Sequence, residues 1–380
     1  MNFQILASTN FDNENIKNRF DEFSGELAGI WYMQSDLKTI QDSELSKKLK
    51  RTNMIKENGH HSVFDHEYIT LYFEDVPKFF AMILNNEQMY TTSEKSARYT
   101  KMNIGGTEKE LYDKWLNIFK KLIPLKYPNE PYFTEKRIEK LAQENARYFI
   151  SVFTPTCFAY TVSFRQLNYL YSFFKNADYT NKYFCKLKPT IDEFLSFLEN
   201  NDLIDEKLYN FAKNRQFSIF SKKECKEYFG DVYVTKYLGS FAELAQAQRH
   251  RTLNYSFTDT PYTSFYIPKL IEKNEKLKQM WLEDMQKVKD NIPQATLIQI
   301  QESGTYENFM LKANERLCTC AQLEIENQTK ITLQKYIYYT TDEEIKNTLL
   351  TINKGARCLS NFKCNTPCKF PDGIKLDREI

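Results

Sequence analysis

Apolar and polar positions alternate along Glu67-Tyr68-Ile69-Thr70-Leu71-Tyr72-Phe73, and again along Val232-Tyr233-Val234-Thr235-Lys236-Tyr237. Alternation with a period of two marks half-buried strands. Each stretch leads into good helix formers. Pro77 opens Lys78-Phe79-Phe80-Ala81-Met82-Ile83-Leu84, and Phe241-Ala242-Glu243-Leu244-Ala245 follows the second strand. Thr91 to Tyr99 reads as a loop, and Ile191 to Leu198 as an amphipathic helix. Residues 1–50 read as helical and polar, with Ser35-Asp36 and Ser43-Glu44 as cap-type residues before short apolar patterns. Strands and helices mixed in this way predict an α+β chain.

Composition narrows the function. A chain of 380 residues is long enough for two domains, and 42% hydrophobic with 27% charged residues is ordinary for a globular protein. A net charge of +2 provides no broad basic field for nucleic acid, so any anion site must be local. No stretch approaches the roughly 20 apolar residues of a membrane span. The start, Met1-Asn2-Phe3-Gln4-Ile5-Leu6, lacks a basic region and a long apolar run, so no signal peptide is expected. Eight Cys without an export signal then read as reduced thiols in a cytoplasmic protein.

Metal chemistry is weakly supported. The segment His60-His61-Ser62-Val63-Phe64-Asp65-His66 holds three of the four His, but its spacing is not that of a tight zinc site and no Cys is near. It reads as a hydrogen-bonded turn feeding a strand. In the Cys-rich tail, Cys358, Cys364 and Cys368 lack Cys-x-x-Cys pairing, also with Cys318 and Cys320. No metal is assigned.

Two basic stretches carry the chemistry. Arg249-His250-Arg251 follows the second predicted helix, where cations suit the negative end of the helix dipole. Lys95-Ser96-Ala97-Arg98-Tyr99 sets a guanidinium beside a hydroxyl donor and a phenol, a natural phosphate grip. Together they resemble the two ends of the flavin-dependent thymidylate synthase signature: Arg-His-Arg, two residues, Ser, four residues, Ser, one residue, Arg-Tyr. From Arg249 onward the first part fits, but Asp259 and Pro261 replace the later Ser and Arg. Toward Tyr99 the second part fits, but Asn86, Glu87 and Gln88 replace Arg-His-Arg. The chain therefore resembles two tandem copies of that fold, each a small sheet packed by helices, and each keeping the half-motif the other lost. A cut near Glu199-Asn200-Asn201-Asp202, inside a polar stretch, gives 1–200 for the first copy and 201–380 for the second.

Further segments extend the resemblance. The His60 to His66 segment is similar to the family's His-x-Ser/Thr-x-x-Glu-His, with Asp65 for Glu. Asn145-Ala146-Arg147 resembles its Ala-Arg segment. Ser163-Phe164-Arg165 resembles its Asn-x-Arg flavin contact, for which the second copy has only Thr305 and Glu307. Phe174 falls where the first copy would carry the catalytic Arg. Glu315-Arg316-Leu317 and Ala321-Gln322-Leu323-Glu324-Ile325 match the family's last segment, and Arg316 is the candidate catalytic residue.

The resemblance implies reductive methylation of dUMP to dTMP, with FAD as cofactor and methylenetetrahydrofolate and NADPH as co-substrates. It implies that Glu94, Lys95, Ser96, Ala97, Arg98 and Arg147 from the first copy join Gln246, Arg249 and Arg316 from the second to bind dUMP. FAD is expected at Ser62, Glu94, Arg165, Arg249, His250 and Arg251. The family's homotetramer implies a homodimer with pseudo-tetrameric symmetry here. Two alternatives stay open: a flavin-dependent methyltransferase acting on another pyrimidine nucleotide, and a nucleotide-binding or structural paralogue without catalysis.

Overall fold

The computed structural model of the chain describes residues 1–9, 15–98, 100, 102–128, 133–209, 217–220, 225–353 and 378–380. The chain begins with β1 (Asn2–Ser8), α1 (Ile16–Tyr32), α2 (Leu37–Gln41), α3 (Leu45–Glu57), β2 (Tyr68–Pro77), α4 (Lys78–Leu84) and β3 (Tyr90–Glu94). It continues through α5 (Gly106–Lys126), α6 (Glu135–Ala146), β4 (Pro155–Ser163), α7 (Phe164–Lys175) and α8 (Lys182–Asn200). After β5 (Tyr228–Phe229) come β6 (Val232–Ser240), α9 (Phe241–Ala247), β7 (Asn254–Asp259), α10 (Lys269–Glu272) and α11 (Glu275–Val288). The last elements are β8 (Leu297–Thr305), α12 (Tyr306–Arg316), α13 (Leu323–Tyr339) and α14 (Glu343–Ile352).

The strands form two four-stranded antiparallel sheets, ordered β1-β2-β4-β3 and β5-β6-β8-β7, packed by helices. The chain is thus α+β, as its apolar pattern indicates. The two sheets share one strand order, and smaller details coincide. The N–H of Phe164, which opens α7, donates to the carbonyl of Glu67, just before β2, at 2.7 Å. Tyr306, which opens α12, donates in the same way to Asp231, just before β6, at 2.9 Å. Ser163 and Thr305 cap these two helices through Gln166 N and Asn308 N.

Two strands correct the sequence reading. Residues 1–50 were expected to be helical, yet they begin with β1, and the expected loop from Thr91 starts inside β3. Both strands lie at the edges of the first sheet. Alternation in β1 is limited to Asn2-Phe3-Gln4-Ile5 and β3 is mostly Thr and Ser, so the apolar signal of both is short. The His60 segment is a one-turn 3-10 helix from His61 to Asp65 that feeds β2.

Compact packing divides the chain into residues 1–95 with 155–217, and residues 96–154 with 218–380. The packed units and the two contiguous stretches 1–200 and 201–380 therefore differ by residues 96–154 and 201–217. In the first unit the sheet core is aromatic: Phe73 stacks on Phe158 at 4.5 Å, and Phe194 of α8 meets Phe73 at 5.5 Å. In the second unit, α5 buries an apolar stripe, Leu111, Trp115, Phe119 and Ile123, against α11 and its neighbours. Trp115 meets Trp281 edge-on, with centroids 4.8 Å apart and ring planes at 82°. Beside them the buried carboxylate of Asp284 accepts from Trp115 Nε1 at 2.9 Å and pairs with Lys114 and Lys287. Burial opposes its charge, but these three donors outweigh burial and hold its pKa below the ordinary value. No helix among the described residues is long and apolar enough to cross a membrane.

This packing predicts a stability order. Trp281→Ala should cost about 3–5 kcal/mol by emptying the aromatic cluster. Asp284→Leu should cost about 1–3 kcal/mol, mainly because the buried Trp115 N–H loses its acceptor. Denaturant unfolding measures both, and an Asp284→Leu variant as stable as the parent contradicts the second.

Candidate functional site

The length of α9 decides where the basic triplet falls. Ser240 caps the helix through Glu243 N at 3.1 Å. The helix closes after seven residues, and Arg249 N–H and His250 N–H donate back to Gln246 O and Ala247 O at 3.2 and 2.9 Å. Arg249-His250-Arg251 thus stands in the turn just beyond α9. The helix α4 also has seven residues, which puts Asn86, Glu87 and Gln88 at the corresponding place in the first unit.

Within the triplet the three side chains differ. Arg249 and Arg251 are exposed, whereas His250 is buried. Arg316, the last residue of α12, donates from Nε to His250 Nε2 at 2.7 Å and from Nη2 to Gln246 O at 3.4 Å. A guanidinium cannot accept, so His250 Nε2 must. Burial first, then the charges of Arg316 and Lys312, hold the imidazole pKa down at about 2. His250 is therefore neutral, with its proton on Nδ1.

The loop that follows β3 reaches the same unit. Gln143 of α6 donates to Ala97 O and Thr100 O at 3.1 and 3.0 Å. Ser96 Oγ accepts from Arg98 N at 3.3 Å. The Arg98 guanidinium pairs with Glu144, and its Nη2 donates to Cys320 O at 3.0 Å. Arg147 begins the turn after α6; only 5% of it is exposed, and its Nη2 donates to Gln322 Oε1. Gln246 Nε2 donates to that same oxygen.

Four guanidiniums from both ends of the sequence thus lie in one packed unit. They feel each other. Burial first, then Arg98 and Arg249, push the Arg316 pKa below its usual value against the opposing pull of Glu315 and Tyr255. Burial and Arg98 do the same to Arg147, against Tyr148, Glu144 and Glu324. Guanidiniums gathered in this way suit a polyanionic ligand.

The other expected residues belong to the first unit. Glu94 pairs with Lys78 at 2.6 Å, and Lys95 N–H donates to Cys157 O at 3.0 Å. Arg165 pairs with Asp65 at 2.6 Å, Ser163 Oγ donates to the same carboxylate at 2.8 Å, and Ser62 is exposed. Tyr99, Cys358, Cys364 and Cys368 lie outside the described residues. Cys157, Cys185, Cys225, Cys318 and Cys320 are free thiols. Among the described residues no group of three or more His, Cys, Asp or Glu could hold a metal ion. A cleft of 580 Å³ lined by Glu227, Tyr228, Phe229, Asp231, Tyr339 and Asp342, among others, contains none of the expected site residues.

Sequence reading missed a buried polar network beneath the site. Gln322 Nε2 donates to Tyr148 OH at 2.7 Å, and Tyr148 OH donates to Glu324 Oε2. Glu324 also accepts from Ser240 N and Oγ at 2.9 and 2.8 Å. Deeper still, Lys312 pairs with Glu302, which accepts from Tyr233 and Tyr237 at 2.6 and 2.9 Å. Gln322 and Glu324 stand inside a recognised segment, but nothing in their spacing announced a hydrogen-bonded chain.

Residues 21–179 match the family model described as "Thymidylate synthase complementing protein". That part of the chain is similar to the flavin-dependent thymidylate synthase family. No curated relative matches the chain. Among solved structures, the chain is similar to the UMP/dUMP methylase PolB from Streptomyces cacaoi bound with 5-Br dUMP. The TM-score is 0.35 and identity 13%, over 55% of this chain and 92% of that one. It is also similar to the flavin-dependent thymidylate synthase ThyX from Helicobacter pylori complexed with FAD and dUMP. There the TM-score is 0.33 and identity 16%, over 55% of this chain and all 100% of that one. At such scores these likenesses add nothing to the family match. The match ends at residue 179; beyond it, Arg249-His250-Arg251 and Arg316 resemble the family signature, and the second sheet repeats the strand order of the first.

The His250 environment predicts a pH dependence. A base whose folded pKa lies below its unfolded value binds fewer protons when folded. Its contribution is complete above about pH 6.5 and is lost as pH falls from there toward about 2. Across pH 6 to 4 the parent should lose about 1.4 kcal/mol per pH unit relative to His250→Gln. Parallel stability curves for the two proteins would contradict a buried neutral His250.

Proposed function

We propose that the protein is a flavin-dependent methyltransferase that converts dUMP to dTMP, with methylenetetrahydrofolate and NADPH as co-substrates. Its single nucleotide site per chain is composite, built from the half-motifs of two tandem copies, 1–200 and 201–380. The observation that carries this reading is the gathering of Arg98, Arg147, Arg249 and Arg316 in the second unit, with Arg98 hydrogen-bonded to the backbone of Cys320, 222 positions away. Decay of an idle paralogue would rarely leave one whole cationic site.

The residues fit a phosphate-bearing cofactor. Arg249 and Arg251 are exposed cations flanking one turn in a protein of net charge +2, and FAD carries a pyrophosphate. FAD, when bound, supplies the redox chemistry. The protein supplies binding and charge. Ser96 and Arg98 hold the phosphate side, and Arg147 contacts the nucleotide. Arg316 remains protonated and stabilises negative charge developing on the N3/O4 side of the pyrimidine. Neutral His250 orients Arg316 by accepting its Nε–H without adding a competing charge. The roles of Ser62, Glu94, Lys95 and Arg165 rest on the resemblance alone.

Family architecture makes a homodimer the expected assembly. In it the other pairing of half-motifs sets Asp259 and Pro261 with Asn86 and Gln88, a carboxylate and no guanidinium for a phosphate dianion. The purified protein should be yellow, and Arg249→Ala and His250→Ala should lower its flavin content. Calorimetry should give one dUMP per chain, and Arg98→Ala and Arg316→Ala should each weaken binding by about 2–5 kcal/mol. Two equal sites per chain, or near-parental affinity in either variant, would falsify the composite site. Failure to rescue a thymidine-requiring bacterium would exclude dUMP as the substrate.

A further inference from the structure

Arg147 fixes the polarity of its surroundings. A guanidinium only donates, so the Gln322 atom facing Arg147 Nη2 is oxygen. That oxygen also faces the Gln246 amide, whose near atom must then be the nitrogen. Gln322 Nε2 is left to donate to Tyr148 OH at 2.7 Å, and Tyr148 in turn donates to Glu324. Flipping Gln322 would place two donors face to face, and flipping Gln246 would place two oxygens face to face. The consequence falls on Gln246. Its nitrogen is committed inward, and its Oε1 is buried with no hydrogen-bond partner among the described residues. Among them Arg147 Nε is buried without a partner as well. Gln246 is 8% exposed and Arg147 5%, so neither orphan atom is open to bulk solvent. Orphan buried polar atoms are costly, and a complementary ligand relieves the cost.

We propose that Gln322 is a positioning residue that sets substrate specificity by locking the Gln246 amide, so that the substrate meets an acceptor at Gln246 Oε1 and a donor at Arg147 Nε. This rests on the pyrimidine nucleotide reading above and deepens it. The ligand group at Gln246 must be a hydrogen-bond donor beside an acceptor. Two parts of a deoxyuridine nucleotide have this pattern. One is the uracil N3–H flanked by its carbonyl oxygens; the other is the sugar 3′-hydroxyl near phosphate oxygens. Cytosine N3 is an acceptor and cannot satisfy Gln246 Oε1, and a 3′-deoxy sugar has no hydroxyl to donate.

Calorimetry on the full chain with dUMP, dCMP and the 3′-deoxy analogue of dUMP tests this. The parent should bind one analogue about tenfold or more weakly than dUMP, since a site built for a donor rejects a ligand lacking it. The analogue affected tells base from sugar. In Gln322→Met the Gln246 amide is free to turn, and that same ratio should fall to within about threefold of unity. In Gln322→Glu, which keeps an acceptor toward Arg147 and Gln246, the ratio should persist. A ratio unmoved in Gln322→Met overturns the proposal. Should Gln322→Met not fold, Gln246→Met serves instead: it removes Oε1 itself and must collapse the same ratio, or the proposal is wrong. Binding without discrimination by the parent removes this inference alone. No nucleotide binding at all removes the nucleotide reading, and this inference with it.

Discussion

A buried guanidinium that can only donate organises the candidate site. Arg147 is desolvated and has no carboxylate in direct contact among the described residues; the amide oxygen of Gln322 takes the place of a counter-charge. Such a group is tolerated only where neighbouring dipoles turn toward it. Gln322, Gln246, Tyr148, Glu324 and Ser240 therefore adopt one mutual orientation, and the start of α9 is tied to the turn after α6. A preorganised set of dipoles needs no rearrangement when a charged ligand arrives, which is the condition for effective electrostatic stabilisation.

Much of this was legible in the sequence, for physical reasons that differ by element. The inner strands β2 and β6 face apolar layers and so alternate visibly; helices α4 and α9 follow from runs of helix formers. The edge strand β1 alternates only over Asn2-Phe3-Gln4-Ile5, and β3 is mostly Thr and Ser, so neither carries a long apolar face, and readings as helix and loop give way to strands. The half-motifs were legible because guanidinium, hydroxyl and imidazole side chains at fixed spacing have few other uses together. The Gln322 chain was not, because its geometry joins residues from four separate elements. Amide orientation depends on three-dimensional partners, which no spacing along the chain encodes.

The placement of residues 96–154 was equally hidden. In sequence they precede β4, the last strand of the first sheet, and so read as part of the first copy. Their packing is decided by a stripe on α5, where Trp115 and Phe119 need an aromatic partner of similar size. Trp281 on α11 is such a partner, and Asp284 satisfies the indole N–H that burial would otherwise leave unpaired. A pattern along one helix states that it has an apolar face; it does not state which other face will cover it.

That placement bears on the proposed loss of half a motif from each copy. Under the proposed tandem origin, the Ser-x-Arg loop and the Ala-Arg turn travel with α5 and α6 into the unit that holds α9 and α12. Once the cationic residues of both stretches converge there, the corresponding positions elsewhere no longer face a phosphate. A guanidinium without an anion beside it is a desolvation liability wherever it is partly buried. Asn86, Glu87 and Gln88, and Asp259 and Pro261, stand there instead, at no cost to the surviving site. Asymmetry between the copies is then tolerated, provided that one complete set remains together.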